Sequence, residues 1–340
     1  MDPTTPGEAS AATIQPGASR KGTRLPAVDC LRYLAALAVI GWHTPERLED
    51  ARYHGLVTWA VPCFAAMAIY WLTIDLQRHP DQKYGVYLRK RVLRIGLPFL
   101  AWSLIYLAVR DIERVWIKHE SAVALTWSTL WTGTAHHLWF LPFLIIVSAV
   151  FFLPLQWTVR RPHARAVLCA VAVLLGFCLA LIPSPFDGNQ YLLLQTWWAL
   201  PAALWAIPLA TYLADIASTA SPFQRWGLLG FSIVLTGIQL SGWSSRLSTS
   251  LLGIALLMTS CQPWQHSVLT RLAPLGRLAY GVYLVHILFL IALRVAGHRC
   301  LHLEMGMMFN IPVFLLTAIL STLAVMALAR SSFTRWLVPG

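Results

Sequence analysis

VDCLRYLAALAVIGWH, residues 28–43, is an apolar run that carries Asp29 and Arg32 inside it and closes on His43. It reads as a membrane helix of nearly the length needed to cross about 30 Å of hydrocarbon. At about 100° and 1.5 Å per residue, the steps from Arg32 to His43 bring both side chains within roughly 20° of one face, about 16 Å apart along the axis. Ionisable groups on one stripe of a membrane helix are expensive and mark function by default. Arginine suits an anion and histidine moves protons near pH 7, so the pair points to chemistry. Asp29, three residues before Arg32, is placed to form an ion pair with it.

The rest of the chain agrees that the environment is a membrane. Of its 340 residues 57% are hydrophobic and only 12% charged, with 16 Trp and a mean hydropathy of +0.61. An ordinary soluble domain carries about 25% charge. The net charge of +12 does not mark a nucleic-acid binder: the cations fall in short clusters between apolar runs, as juxtamembrane anchors do, and no nucleic-acid-reading motif accompanies them. The six cysteines show no C-x-x-C spacing and lie mostly in apolar runs, so neither a disulfide framework nor a metal site is expected.

Residues 1–24 form a tail rich in Ala, Pro, Ser, Thr and Gly, with Arg20, Lys21 and Arg24 at its end. No small-residue cleavage site follows Trp42, which argues against a signal peptide. Ten candidate spans follow, near 27–43, 56–76, 92–109, 137–157, 166–183, 196–214, 225–241, 247–262, 277–296 and 309–329. The expected fold is all-α, a polytopic membrane domain of about ten transmembrane helices over 25–332 with a short tail at 333–340. With the N-terminus in the cytoplasm, 17 of the 26 Lys and Arg fall on the cytoplasmic side and eight on the other, so both termini are expected inside.

Three more segments carry candidate chemistry. YGVYLRKRVLRIGLPFLAW, 84–102, places Arg89, Lys90, Arg91 and Arg94 at the mouth of the third span, more cations than orientation needs and suited to a phosphate-rich ligand. GTAHHLWFLPFL, 133–144, opens the fourth span with His136, His137 and Trp139; the plainest role for that Trp is an interface anchor. PLGRLAYGVYLVH, 274–286, puts Tyr283 and His286 on one face well inside the ninth span.

Read together, these segments resemble the acyltransferase-three family of integral membrane acyltransferases. Arg32 and His43 match its arginine, ten intervening residues and histidine. Arg91 and Arg94 match its Arg-x-x-Arg pair, and HLWFLPFL and LGRLAYGVYLVH are similar to its Trp-containing and Tyr-x-x-His segments. One departure is the second span, VPCFAAMAIYWLT (61–73), where the family has a Ser-Gly pair. The resemblance implies a multi-pass protein of the inner membrane that moves an acyl group, commonly acetyl, from cytoplasmic acetyl-CoA to a hydroxyl of a surface glycan or lipid-linked acceptor. No permanently bound cofactor is expected. His43 would act as general base or as carrier of a transient acyl-imidazole, with Arg32 as its partner or in contact with the thioester. Arg89, Lys90, Arg91 and Arg94 would hold the CoA phosphates; Asp29, His137, Trp139, Tyr283 and His286 are further candidates, His286 also having a structural reading. The rival reading is a transporter that uses intramembrane Asp, Arg and His as a substrate or proton path.

Overall fold

The computed structural model describes residues 25–45, 51–117, 119–187, 190–213, 221–264, 266–300 and 307–339; the tail expected over 1–24 lies outside them, as do Arg47 and Lys118. Among the described residues there is no strand. In chain order the α-helices are α1 (Pro26–His43), α2 (Ala51–Thr58), α3 (Ala60–Arg78), α4 (Tyr84–Arg91), α5 (Leu97–Asp111), α6 (Thr129–Thr132) and α7 (Phe140–Val159). They continue with α8 (Pro162–Leu181), α9 (Tyr191–Pro208), α10 (Pro222–Leu240), α11 (Arg246–Ser260), α12 (Ser267–Leu272), α13 (Ala279–Cys300) and α14 (Met307–Arg330).

Local sequence explains where several helices begin. Proline follows the N-cap residue at Pro26, Pro162 and Pro222, where its fixed φ suits the first turn and its missing N–H costs nothing. Ser221 caps α10 reciprocally with Gln224, and Ser245 caps α11 with Ser248.

Seven helices among the described residues are long and apolar enough to cross a membrane: Gly55–Arg78, Tyr84–Val115, His136–Val159, Pro162–Leu181, Tyr191–Leu213, Ala279–Gly297 and Asn310–Arg330. Each of the ten expected spans has a helix, but α1, α10 and α11 are shorter or less apolar than these seven, so the count of ten is not confirmed. The reason lies in their polar residues. α1 carries Asp29, Arg32 and His43; α10 and α11 bury Ser232, Gln239, Ser248, Thr249 and Ser250 against the protein, where Gln239 donates to the Ser248 hydroxyl at 3.0 Å. α11 has only 15 residues.

α3 is the hub, packed against α1, α7, α9 and α11. Its small side chains allow this: Ala60, Cys63, Ala65 and Ala66 are buried, and the Cys63 backbone lies 3.0 Å from where a Cβ on Gly253 of α11 would stand. VPCFAAMAIYWLT therefore serves close helix approach without the Ser-Gly pair.

Hydrogen bonds sort the connections into two ends. At the end where α1 begins, Gln156 of α7 donates to the carbonyls of Pro80 (3.0 Å) and Gln82 (2.7 Å), Arg160 pairs with Asp81, and the Cys30 thiol meets the Leu269 carbonyl. At the end where α1 finishes, Arg110 donates to the Thr134 carbonyl, Arg246 to that of Ile182, and Arg294 to those of His43 and Thr44. The residues after α14 fold back onto the first of these ends: the Trp102 indole donates to the Leu337 carbonyl at 2.9 Å and Val338 is buried.

Candidate active site

Two cavities approach each other from these ends. The larger, about 560 Å³, lies at the end where α1 begins. Five arginines line it: Arg32 from α1, Arg78 from the end of α3, Arg91 and Arg94 from the first turns of the Tyr84–Val115 helix, and Arg277 from the turn before α13. Among the described residues Asp75 is the single carboxylate side chain on that lining. Its apolar part is formed by Phe64, Met67, Leu141, Leu144, Phe140 and Tyr283.

The backbone explains how arginines distant in sequence converge. Arg94 falls in a π-helical turn, Val92–Gly96, between α4 and α5, an insertion that recurs at functional sites. Arg277 ends a 3₁₀ turn, Ala273–Arg277, which rests on the first turns of α1. A Cβ on Gly276 would stand 2.3 Å from the Asp29 carbonyl oxygen, so only glycine lets the two backbones meet there. Arg32 and Asp29 face each other at 3.6 Å, the pair expected from their spacing. Buried polar atoms on the wall await partners: among the described residues Arg91 Nε and Tyr280 Oη have no hydrogen bond.

The smaller cavity, about 220 Å³, lies where α1 ends. His43 and His137 line it together with Trp42, Trp139, Tyr191, Gln195 and Trp198. Behind them His286 completes a triangle of imidazoles. Ring centroids are 5.4 Å apart for His43 and His286, 5.0 Å for His137 and His286, and 6.2 Å for His43 and His137.

This triangle is held by hydrogen bonds to backbone carbonyls. His286 Nδ1 lies 2.7 Å from the Tyr283 carbonyl, which can only accept, so the neutral ring carries its proton on Nδ1 and a lone pair on Nε2. The Tyr283 hydroxyl donates to the His137 carbonyl, and the Tyr106 hydroxyl to the Leu284 carbonyl at 2.7 Å. His137 and His286 are both buried, and His286 Nε2 and both His137 ring nitrogens have no hydrogen-bond partner among the described residues. Buried polar atoms left unmatched are costly and accumulate where a ligand or reaction uses them. Among the described residues no group of His, Cys, Asp and Glu is arranged to hold a metal ion.

Several expectations change in this geometry. Arg32 and His43 share a stripe of α1 and open into different cavities. Arg91 and Arg94 line the larger cavity whereas Arg89 and Lys90 do not; both are exposed. Trp139 is buried against Phe140, Phe143 and Tyr191, which removes the interface-anchor reading. His286 joins His43 and His137 in the histidine triangle. His136 is exposed and meets Tyr191 instead. The sequence reading overlooked Arg78 and Arg277, counted as orientation charges, and Tyr106, Phe140 and Arg294. For Arg277 a signal was present, since it lies three residues before Tyr280 in the same segment.

The deciding comparison follows from this arrangement. Residues 25–330 match the acyltransferase-3 family, described as an acyltransferase domain. The chain belongs to this family. No curated protein and no solved structure matches it. Membership makes it an acyltransferase, and with seven membrane-length apolar helices a multi-pass membrane protein. The transporter reading gains no support from either finding.

Proposed function

We propose that this acyltransferase takes an acyl group, acetyl in the first instance, from acyl-CoA in the arginine-lined cavity. It passes the group to a hydroxyl of a surface glycan or lipid-linked acceptor in the histidine-lined cavity. The observation that carries this reading is that Phe140 and Tyr283 line both cavities, so donor and acceptor sites are separated by one layer of side chains. Guanidinium groups around a mouth suit the phosphates of CoA through charge-assisted, bidentate contacts. The apolar wall beyond them suits the thioester arm. On the other side, Trp42, Trp139, Trp198 and Tyr191 offer flat apolar faces and Gln195 an amide, a lining that fits a ring bearing hydroxyls.

In this reading the acceptor oxygen adds to the thioester carbonyl carbon while His43 removes its proton. The C–S bond then breaks, the thiolate takes up the proton, and ester and free CoA thiol result. His43 and His137 both line the acceptor side and His286 stands behind them, so His137 and His286 offer nitrogens that can accept or relay the proton from His43. The cation distribution favours the inner membrane with the arginine-lined end in the cytoplasm, where CoA is found.

The test is a donor assay on the full-length protein in detergent or liposomes, with acetyl-labelled acetyl-CoA and a polysaccharide acceptor. Label should leave CoA, by transfer or slow hydrolysis, and His43→Ala should stop it. Flux of a solute across liposomes with no loss of label from CoA would overturn the reading.

A further inference from the structure

Phe140 and Tyr283 line both cavities, and the geometry of their contact limits what could cross between them. Their ring centroids are 6.2 Å apart with planes at 63°. A carbon between two rings needs about 3.5–4.0 Å to each of them, so this contact is closed to a methylene chain. Neither ring is free to swing widely. Tyr283 is tied through its hydroxyl to the His137 carbonyl. Phe140 is packed on Phe143 (5.5 Å), Trp139 (5.5 Å) and Phe64 (6.2 Å), and is 4% exposed. Beyond the contact, the 220 Å³ cavity must hold the acceptor hydroxyl as well as the transferred group.

We propose that Phe140, braced against Tyr283, is the residue that sets acyl-chain size, and that the partition admits a short acyl thioester and rejects chains of four or more carbons. The inference rests on the acyl-CoA reading above and adds its specificity determinant. The thioester carbonyl reaches the contact from the arginine side, and the acyl chain that leaves with the ester must then cross between the rings, each further methylene entering the space occupied by the Phe140 ring. An acetyl group brings one methyl and needs a small ring displacement. A butyryl group would need the Phe140 ring to leave its aromatic cluster.

The experiment compares acetyl-, propionyl-, butyryl- and hexanoyl-CoA as donors for the full-length protein and for Phe140→Leu and Phe140→Ala, reading kcat/KM for each donor. Wild type should fall at least tenfold from acetyl to butyryl. The butyryl-to-acetyl ratio should rise stepwise through Leu to Ala, by about tenfold or more in Ala. The Leu variant conserves most of the buried volume, so it keeps the test valid should Ala fold poorly. A ratio unchanged in both variants while acetyl transfer continues overturns the proposal and leaves the functional reading intact. So does a wild type that uses butyryl as readily as acetyl. Absence of transfer from every thioester by wild type overturns both.

Discussion

Arg294 donates to the backbone carbonyl of His43 at 2.7 Å, and from the same nitrogen to that of Thr44 at 2.8 Å. The final carbonyls of a helix have no intrahelical partner, and here a guanidinium from α13 supplies one. Since α13 also carries His286, one contact fixes the end of α1 in register with the helix that holds the third imidazole. Arg294→Gln should lower turnover about tenfold while donor KM stays within twofold, because the arginine-lined cavity is remote from it. Arg294→Lys should recover part of the loss. Steady-state kinetics with donor and acceptor varied separately check this; an equal loss in both KM values would assign Arg294 to general stability.

His43 and His286 should differ in how they fail. Loss of a general base typically costs about 10²–10⁴-fold in rate. His43→Ala should show that loss with normal insertion and donor binding. His286→Asn retains an amide able to donate to the Tyr283 carbonyl but removes the lone pair at Nε2. It should therefore keep thermal stability near wild type and still lose at least tenfold in turnover. If His286→Asn retains full turnover, the third ring is packing alone.

Cations of one cluster should separate into two groups. Replacing Arg91 and Arg94 together with Gln removes two guanidiniums from the cavity wall, each contact worth about 1.5–3 kcal/mol, or about tenfold or more in donor affinity. Replacing Arg89 and Lys90 together should change affinity by less than threefold, since neither side chain lines the cavity. Titration of acetyl-CoA onto the purified variants by calorimetry decides between this and a diffuse electrostatic role, in which both pairs would weaken binding alike.

Topology reporters fused at the C-terminus and after Arg161 should both read cytoplasmic. A fusion within the connection between α10 and α11 should read on the opposite side. A non-cytoplasmic signal from either of the first two would reverse the orientation assigned to the arginine-lined end.

The sequence exposed the imidazoles and Arg32, Arg91 and Arg94 because ionisable groups stand out against apolar runs, where each carries a solvation cost that needs a reason. Arg78 and Arg277 escaped because a cation at a span end looks the same whether it orients the helix or lines a cavity. Phe140 was invisible for the opposite reason: within FLPFLIIV its ring is one apolar side chain among many, and only the approach of Tyr283 gives it a role. Hydropathy located a helix for each expected span. It graded α1, α10 and α11 poorly, because they carry polar groups that pair within the protein, Asp29 with Arg32 and Gln239 with Ser248. Gln239 meeting Ser248, and Arg294 meeting the end of α1, are contacts that no window along one helix reveals.

The closed contact between Phe140 and Tyr283 has a further physical consequence, for bioenergetics. Cavities that enter one protein from opposite ends would, if joined by water, form a conduit through which protons and ions ran down their gradients. Ring centroids 6.2 Å apart leave no room for a file of water between Phe140 and Tyr283 themselves. In the proposed reaction this contact would let an acyl group change sides without opening a conduit for ions.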